Sequence, residues 1–226
     1  MNHHRCREEM QKWNTGTNPI ILTYATKIPS IWLLGLSAAY HNIPLAVAGY
    51  GKSGWQWWQS NNQRVMGSMQ ASKIIGNYFA HSPVALLDAG DTAIVNEFVS
   101  PFDATGNKVL ISTECNSYPK CYRNEYDQSV EFKTCVAHNG ACYLNSGLIL
   151  SNNAKLLAYM LSSTLDQLKK MQIKGAPFKK AEVNLDQAAL NRLYMNDQIK
   201  QHLKLHTDGT SSTFLNLWSC PQPGPY

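Results

Sequence analysis

Charge is scarce in this chain. Only 15% of its 226 residues are charged, while 44% are hydrophobic, against about 25% charged in an average globular domain. That balance excludes a disordered chain and argues against a highly charged coiled coil. No Arg-rich arm or basic run is present. The excess of 20 Lys+Arg over 15 Asp+Glu, a net +5, is a mild bias that suits an anionic small ligand, and nucleic acid is not favoured as a partner. Long hydrophobic runs are missing too. The longest, from Ile31 to Ala39 between Pro29 and Pro44, falls far short of the roughly 20 residues a membrane span needs, so it reads as a core helix. The opening MNHHRCREEMQKWNTG has no apolar stretch of signal-peptide length. The expectation is therefore a soluble cytoplasmic protein, or a luminal one whose leader has been trimmed.

Cysteine and histidine are sparse in the patterns that carry metal. Cys6, Cys115, Cys121, Cys135, Cys142 and Cys220 include no CxxC pair, which disfavours a zinc ribbon. Those between 115 and 142 are either free thiols of a cytosolic protein or, in an oxidising compartment, one or two staples of a loop-rich stretch. The histidines show no HxH or HExxH spacing.

What is present alternates strand and helix. Ile20–Tyr24, Leu45–Ala48, Pro83–Leu87 and Lys108–Ser112 are short apolar runs bounded by turn residues, each expected as a buried strand. A helix is expected from Pro29 to about His41. Another is expected over Gln63–Ala80, with Val65, Met66, Met69, Ile74 and Phe79 on one face. Later come a strand at Leu148–Leu150, helices over Asn153–Leu168 and Asn184–Tyr194, and strands near Leu203–Leu205 and Phe214–Leu217. Such elements predict a single α/β domain, a mostly parallel twisted sheet flanked by helices. In sheets of that kind ligands bind at the carboxyl ends of the strands. The polar clusters fall there: Thr26–Lys27, Gly49–Trp58, Asp88–Asp91 and Thr113–Asn116.

The sharpest of these is Asp88–Ala89–Gly90–Asp91. Two carboxylates across a small-residue turn can share one hard divalent cation that keeps positions for phosphate oxygens. The same spacing also fits a surface turn in which Asp91 caps a helix over Thr92–Val95. Ala46–Ser53 matches a relaxed phosphate loop, with Leu86–Leu87–Asp88 as its acidic strand, and would suit a nucleotide hydrolase. A true phosphate loop runs straight into a helix, whereas here Gly54–Asn62 shows no amphipathic period. Trp55, Trp57 and Trp58 can stack on a base or a sugar ring, or form a small core under a loop. If stacking on glycan were their whole role, the chain would be a non-catalytic sugar-binding module. Tyr143–Leu150 and Asn184–Gln187 place amides, a hydroxyl and a carboxylate at element starts, where they either bond sugar hydroxyls or cap the element.

Taken in order, these segments resemble the glycosyltransferase module of the procollagen lysyl hydroxylases and its stand-alone relatives in large DNA viruses. Tyr24–Lys27 resembles that family's V-A-T-(K/E) strand end, Gly49–Trp55 its G-x-G-E-E-W loop, Gln63–Val65 its Q-K-V, and Leu87–Asp91 its D-x-x-D metal motif. Thr113–Pro119 resembles A-E-x-x-C-W-P with Tyr118 in the tryptophan place. Tyr143–Gly147 resembles F/Y-L-N-S-G, Asp186–Gln187 the end of a D-D-Q run, and Asp208 keeps the family's spacing to Phe214. The family's H-G-N-G segment, whose histidine completes the metal shell, has no counterpart, and Leu185 replaces an Asp.

The resemblance implies a GT-A fold with a Rossmann-like nucleotide-binding half at about 18–115, an acceptor-side half at about 116–218 and a tail at 219–226. It implies metal-dependent transfer of a sugar, glucose first, from a UDP-sugar to a hydroxyl of a glycan or glycoprotein. Asp88 and Asp91 would hold Mn²⁺, with Mg²⁺ as the second choice. Thr26 and Trp55 would hold uracil and ribose, Arg64 the diphosphate, and Asn145, Ser146 and Asp186 the sugar, with Asp88, Tyr118 and Gln187 completing the donor site. An inverting enzyme would take Asp186 or Asp208 as its base.

Overall fold

The protein is described by a computed structural model over residues 19–26, 31–51, 57–78, 82–90, 92–95, 105–114, 143–173, 185–195, 198–206 and 214–216. In chain order the elements are β1 (Ile20–Tyr24), α1 (Trp32–Tyr40), β2 (Leu45–Ala48), α2 (Trp57–Tyr78), β3 (Val84–Leu87) and β4 (Thr92–Ile94). They continue with β5 (Val109–Glu114), β6 (Tyr143–Ser151), α3 (Ala154–Ile173), α4 (Leu185–Met195), β7 (Leu203–His206) and β8 (Phe214–Asn216).

Six strands form one sheet in the order β2-β1-β3-β6-β5-β7, and β4 pairs with β8 in a separate two-stranded sheet. β1 lies parallel to both β2 and β3, and β5 parallel to β7. β6 is antiparallel to β3 and to β5. The sheet is thus mixed, mostly parallel as expected, with β6 as its single reversed strand. That reversal matters for function, because the amino-terminal end of β6 lies at the edge where the parallel strands end.

Alternation along each strand builds two cores, one per face. Ile20, Leu22, Val84, Leu86, Val109, Ile111 and Ile149 point to the side covered by α2, α3 and α4. Ile21, Ala85, Leu87, Leu110, Leu148 and Leu150 point to the other side, where Leu34 and Ala38 of α1 meet them. Strands buried on both faces explain why the sequence reads there as unbroken apolar runs. Asn153 starts α3 by accepting hydrogen bonds at Oδ1 from the Lys155 and Leu156 N–H groups, at 3.0 and 3.2 Å.

Several local expectations change. The helix expected from Gln63 begins at Trp57, inside the stretch anticipated as a loop. Its buried face carries Val65, Ser68, Ser72 and Ile75, while Met66 and Ile74 face solvent. A propensity reading picks out large apolar residues, but α2 packs closely on α3 and small side chains take the inward places. At Gly76, an added Cβ would lie 3.0 Å from Lys155 Cγ and 3.5 Å from the Ala154 Cβ. Thr92–Ile94 forms a strand with β8 and not a helix. Phe79 and Asn184 lie outside the described residues.

Two glycines after β2 have positive φ, Gly49 at 81° and Gly51 at 75°. They turn the chain back so that the Gly51 N–H donates to the Thr26 carbonyl at 3.2 Å. A Cβ on Gly49 would collide with the Cε2–Cζ edge of the Tyr24 ring, whereas one on Gly51 would meet open space. Gly51→Ala should therefore cost about 1 kcal/mol, the backbone penalty alone. Gly49→Ala adds overpacking and should cost about 2–4 kcal/mol. Urea midpoints of the two variants check the difference, and equal losses would contradict the close approach of Tyr24.

Candidate functional site

The carboxyl end of β3, the start of β6 and the first turn of α4 converge on one arginine. Thr23, fully buried, donates from Oγ1 to the Leu87 carbonyl at 2.7 Å and so fixes the last residue of β3. The next residue, Asp88, donates its N–H to the Gly147 carbonyl of β6 at 2.8 Å. Gly147 has no side chain to spare: a Cβ there would lie 2.9 Å from Asn145 Oδ1 and 3.0 Å from Asp88 Oδ2. Its N–H donates to Asn145 Oδ1 at 2.6 Å. The backbone of two strands thus sets the place of both polar side chains.

Arg64 reaches this edge from α2. Nη1 lies 3.1 Å from Asp88 Oδ1. Nη2 lies 3.3 Å from Asp186 Oδ2, and it donates at 3.4 Å to both the carbonyl and the Oγ of Ser146. Asp186 sits in the first turn of α4, where the helix dipole favours a carboxylate. Its other oxygen accepts the Gln187 N–H at 3.0 Å. The pairs differ in setting: the Asp88 side chain is 34% exposed and that of Asp186 only 3%.

Two carboxylates about one guanidinium leave the cluster with a net charge of −1. Ser146 lies within hydrogen-bond reach of the same group, Asn145 is held beside it by the Gly147 N–H, and both are buried, as is Gln187 next to Asp186. Such a site is rich in acceptors held by a fixed donor, which is complementary to the hydroxyl donors of a polyol.

Sequence reading overlooked Asn191. From α4 it accepts the Leu144 N–H at 3.0 Å and donates back to the Leu144 carbonyl at 3.3 Å and to the Gln187 carbonyl at 2.9 Å. It thereby clamps the helix that carries Asp186 to the strand that carries Asn145 and Ser146. Its place one helical turn after Gln187 was the available signal.

Of the expected site residues, Arg64, Asp88, Asn145, Ser146, Asp186 and Gln187 are brought together. Thr26 stands at the end of β1, the neighbour of β3, linked to Gly51. Trp55, Asp91, Tyr118 and Asp208 lie outside the described residues.

The expected metal is a correction. Among the described residues no group of three or more His, Cys, Asp or Glu side chains comes together to hold an ion. Asp88, the carboxylate assigned to Mn²⁺ or Mg²⁺, faces the Arg64 guanidinium, and a second cation there would have to displace or repel it. The described residues do not fit the ion, and no chemical step is routed through one.

No family model matches the chain, and no curated protein matches it by sequence. Among solved structures, one described as a glycosyltransferase involved in the glycosylation of the major capsid of PBCV-1 has a TM-score of 0.55 and 12% identity. The match covers 90% of this chain and 96% of that one. At that identity the likeness is one of fold, an α/β architecture with a mixed sheet flanked by helices in the GT-A manner. No described helix is long and apolar enough to cross a membrane.

The ion pairs make a stability prediction. Arg64→Leu strands a buried Asp186 carboxylate and should cost about 3 kcal/mol. Asp88→Asn, at the exposed end, should cost about 1 kcal/mol or less. Adding Asp186→Asn to Arg64→Leu should recover part of the loss, as read by a double-mutant cycle in urea. Strict additivity would contradict the pairing.

Proposed function

We propose that this chain is a glycosyltransferase that moves a hexose, glucose in the first instance, from a UDP-sugar to a hydroxyl of a glycan or glycoprotein acceptor. The observation that carries this reading is convergence. Arg64, Asp88, Ser146 and Asp186 come from four separate sequence motifs read as donor-site groups. The last three meet around the guanidinium of the first at the carboxyl edge of the sheet, with Asn145 held beside them by the Gly147 N–H. The glycosyltransferase fold of the solved relative supports the same reading.

In this proposal Asp88, Asn145 and Ser146 accept hydrogen bonds from sugar hydroxyls. Arg64 keeps its buried pair with Asp186 and turns its outer edge to the diphosphate. The pair it would loosen, with the part-exposed Asp88, is of the kind worth only about 0–1 kcal/mol. A guanidinium on the diphosphate offsets negative charge that grows on the leaving UDP as the glycosidic bond breaks, which is the part of the reaction most in need of stabilisation. Thr26 and Trp55 take the base and ribose. An inverting transfer would draw on Asp208 to remove the acceptor proton, since Asp186 is buried with its oxygens on Arg64 and the Gln187 N–H, and a retaining transfer would need no such base.

Calorimetric titration with UDP, UDP-glucose, ATP and free oligosaccharides tests the proposal. UDP and UDP-glucose should bind, and Arg64→Lys, which keeps the charge but loses the planar fork, should weaken UDP-glucose by about tenfold. Binding of ATP in preference to UDP would favour a nucleotide hydrolase, and binding of free glycan alone a sugar-binding module. Either outcome would overturn the proposal.

A further inference from the structure

Behind the Arg64 cluster, α2, α3, α4 and the sheet enclose a niche with about 20 Å³ of free volume. That is room for one water molecule or one hydroxyl group. Leu86, Ile149 and Leu161 give it apolar walls, and Arg64, Ser146 and Asp186 connect it to the site described above. Every other lining residue is at least nine-tenths buried, so Arg64 marks the side that faces solvent.

Ser68 is the unexplained member. It stands one helical turn after Arg64 on the same face of α2, is 1% exposed, and its Oγ has no hydrogen-bond partner among the described residues. The other two hydroxyls on the wall have partners: Thr164 donates to the Met160 carbonyl at 2.9 Å, and Ser146 Oγ accepts from Arg64. Burying a hydroxyl without a partner is unfavourable, and an apolar residue would fill the same place without that cost. A lone hydroxyl on the wall of a niche of that size is matched by a single terminal hydroxyl.

Resting on the donor-site reading given above, we propose that the niche receives the terminal hydroxyl of the donor hexose's hydroxymethyl group, with the methylene stem left at the mouth beside Ser146. Ser68 Oγ then bonds the terminal hydroxyl, and Ser68 is a specificity-determining residue that selects hexoses over pentoses. A uronate in the same place would set its carboxylate against Asp186. A pentose, lacking the hydroxymethyl group, would leave Ser68 without a partner.

The test compares dissociation constants for UDP, UDP-glucose and UDP-xylose by titration calorimetry in the wild type, Ser68→Ala and Ser68→Val. The wild type should prefer UDP-glucose over UDP-xylose by about tenfold or more, the usual discrimination for one missing group in a fitted pocket. In Ser68→Ala the ratio should fall towards one, because UDP-glucose weakens while UDP-xylose never reached the residue. Ser68→Val, which fills the niche, should reverse the order, and thermal melts of both variants confirm that they fold. Equal affinities in the wild type, or a full preference kept by Ser68→Ala, would overturn the inference and leave a niche that holds a fixed water only. No heat with UDP or either sugar in the wild type is a different result, since it removes the donor-site reading itself along with the inference.

Discussion

A guanidinium held between two carboxylates of unequal exposure is the constraint on which the rest of the site depends. Asp186 is buried, so its charge has to be met where it stands, and Arg64 is the group that meets it. Once that pair is fixed, the orientation of Arg64 is fixed, and among the described residues its guanidinium also meets Asp88 and Ser146. α2, β3, β6 and α4 are therefore tied at one point by polar contacts, while their apolar faces are joined in a single core. The polar tie sets the register of the site. The apolar core supplies most of the stability.

The reversed strand β6 is what allows this arrangement. In a wholly parallel sheet each strand would offer only its last residue or two to the edge. β6 enters the sheet from that edge: Leu144 pairs with Thr113 of β5 and Leu148 with Leu87 of β3, and Asn145 to Gly147 fall at the register shift between them, with the Gly147 carbonyl held by the Asp88 N–H. Asn145 and Ser146 are thus presented by a strand and not by a loop, and Asn191 holds that strand to α4. Rigid elements position groups more closely than loops do.

Much of this was legible in the sequence, for a physical reason. β1, β2 and β3 are short apolar runs closed by turn residues, and their bounds fall where period and punctuation put them. Asp88, Asn145, Ser146 and Asp186 were legible because polar residues stand out at the ends of such runs. The start of α2 was not, since Trp57–Asn62 has no apolar period. The inward Ser68 and Ser72 were passed over because a close helix contact selects for size and not for hydrophobicity. The metal expectation failed differently. A pair of aspartates is compatible with an ion, but the spacing says nothing about a cation from another helix, and Arg64 supplies that cation to Asp88. The strand at Thr92–Ile94 was not legible because a three-residue strand depends on a partner, β8, far away in the chain.

The fold likeness to a viral glycosyltransferase and the convergence of residues on Arg64 point the same way, but only the second speaks of this chain's own chemistry. The most direct measurement is a crystal structure of the protein with UDP-glucose bound. The account requires the hexose to lie against Asp88, Asn145 and Ser146, with diphosphate oxygens on the outer edge of Arg64. A complex in which the nucleotide sugar occupies another surface, and the Arg64 cluster keeps the arrangement it has without ligand, would contradict it.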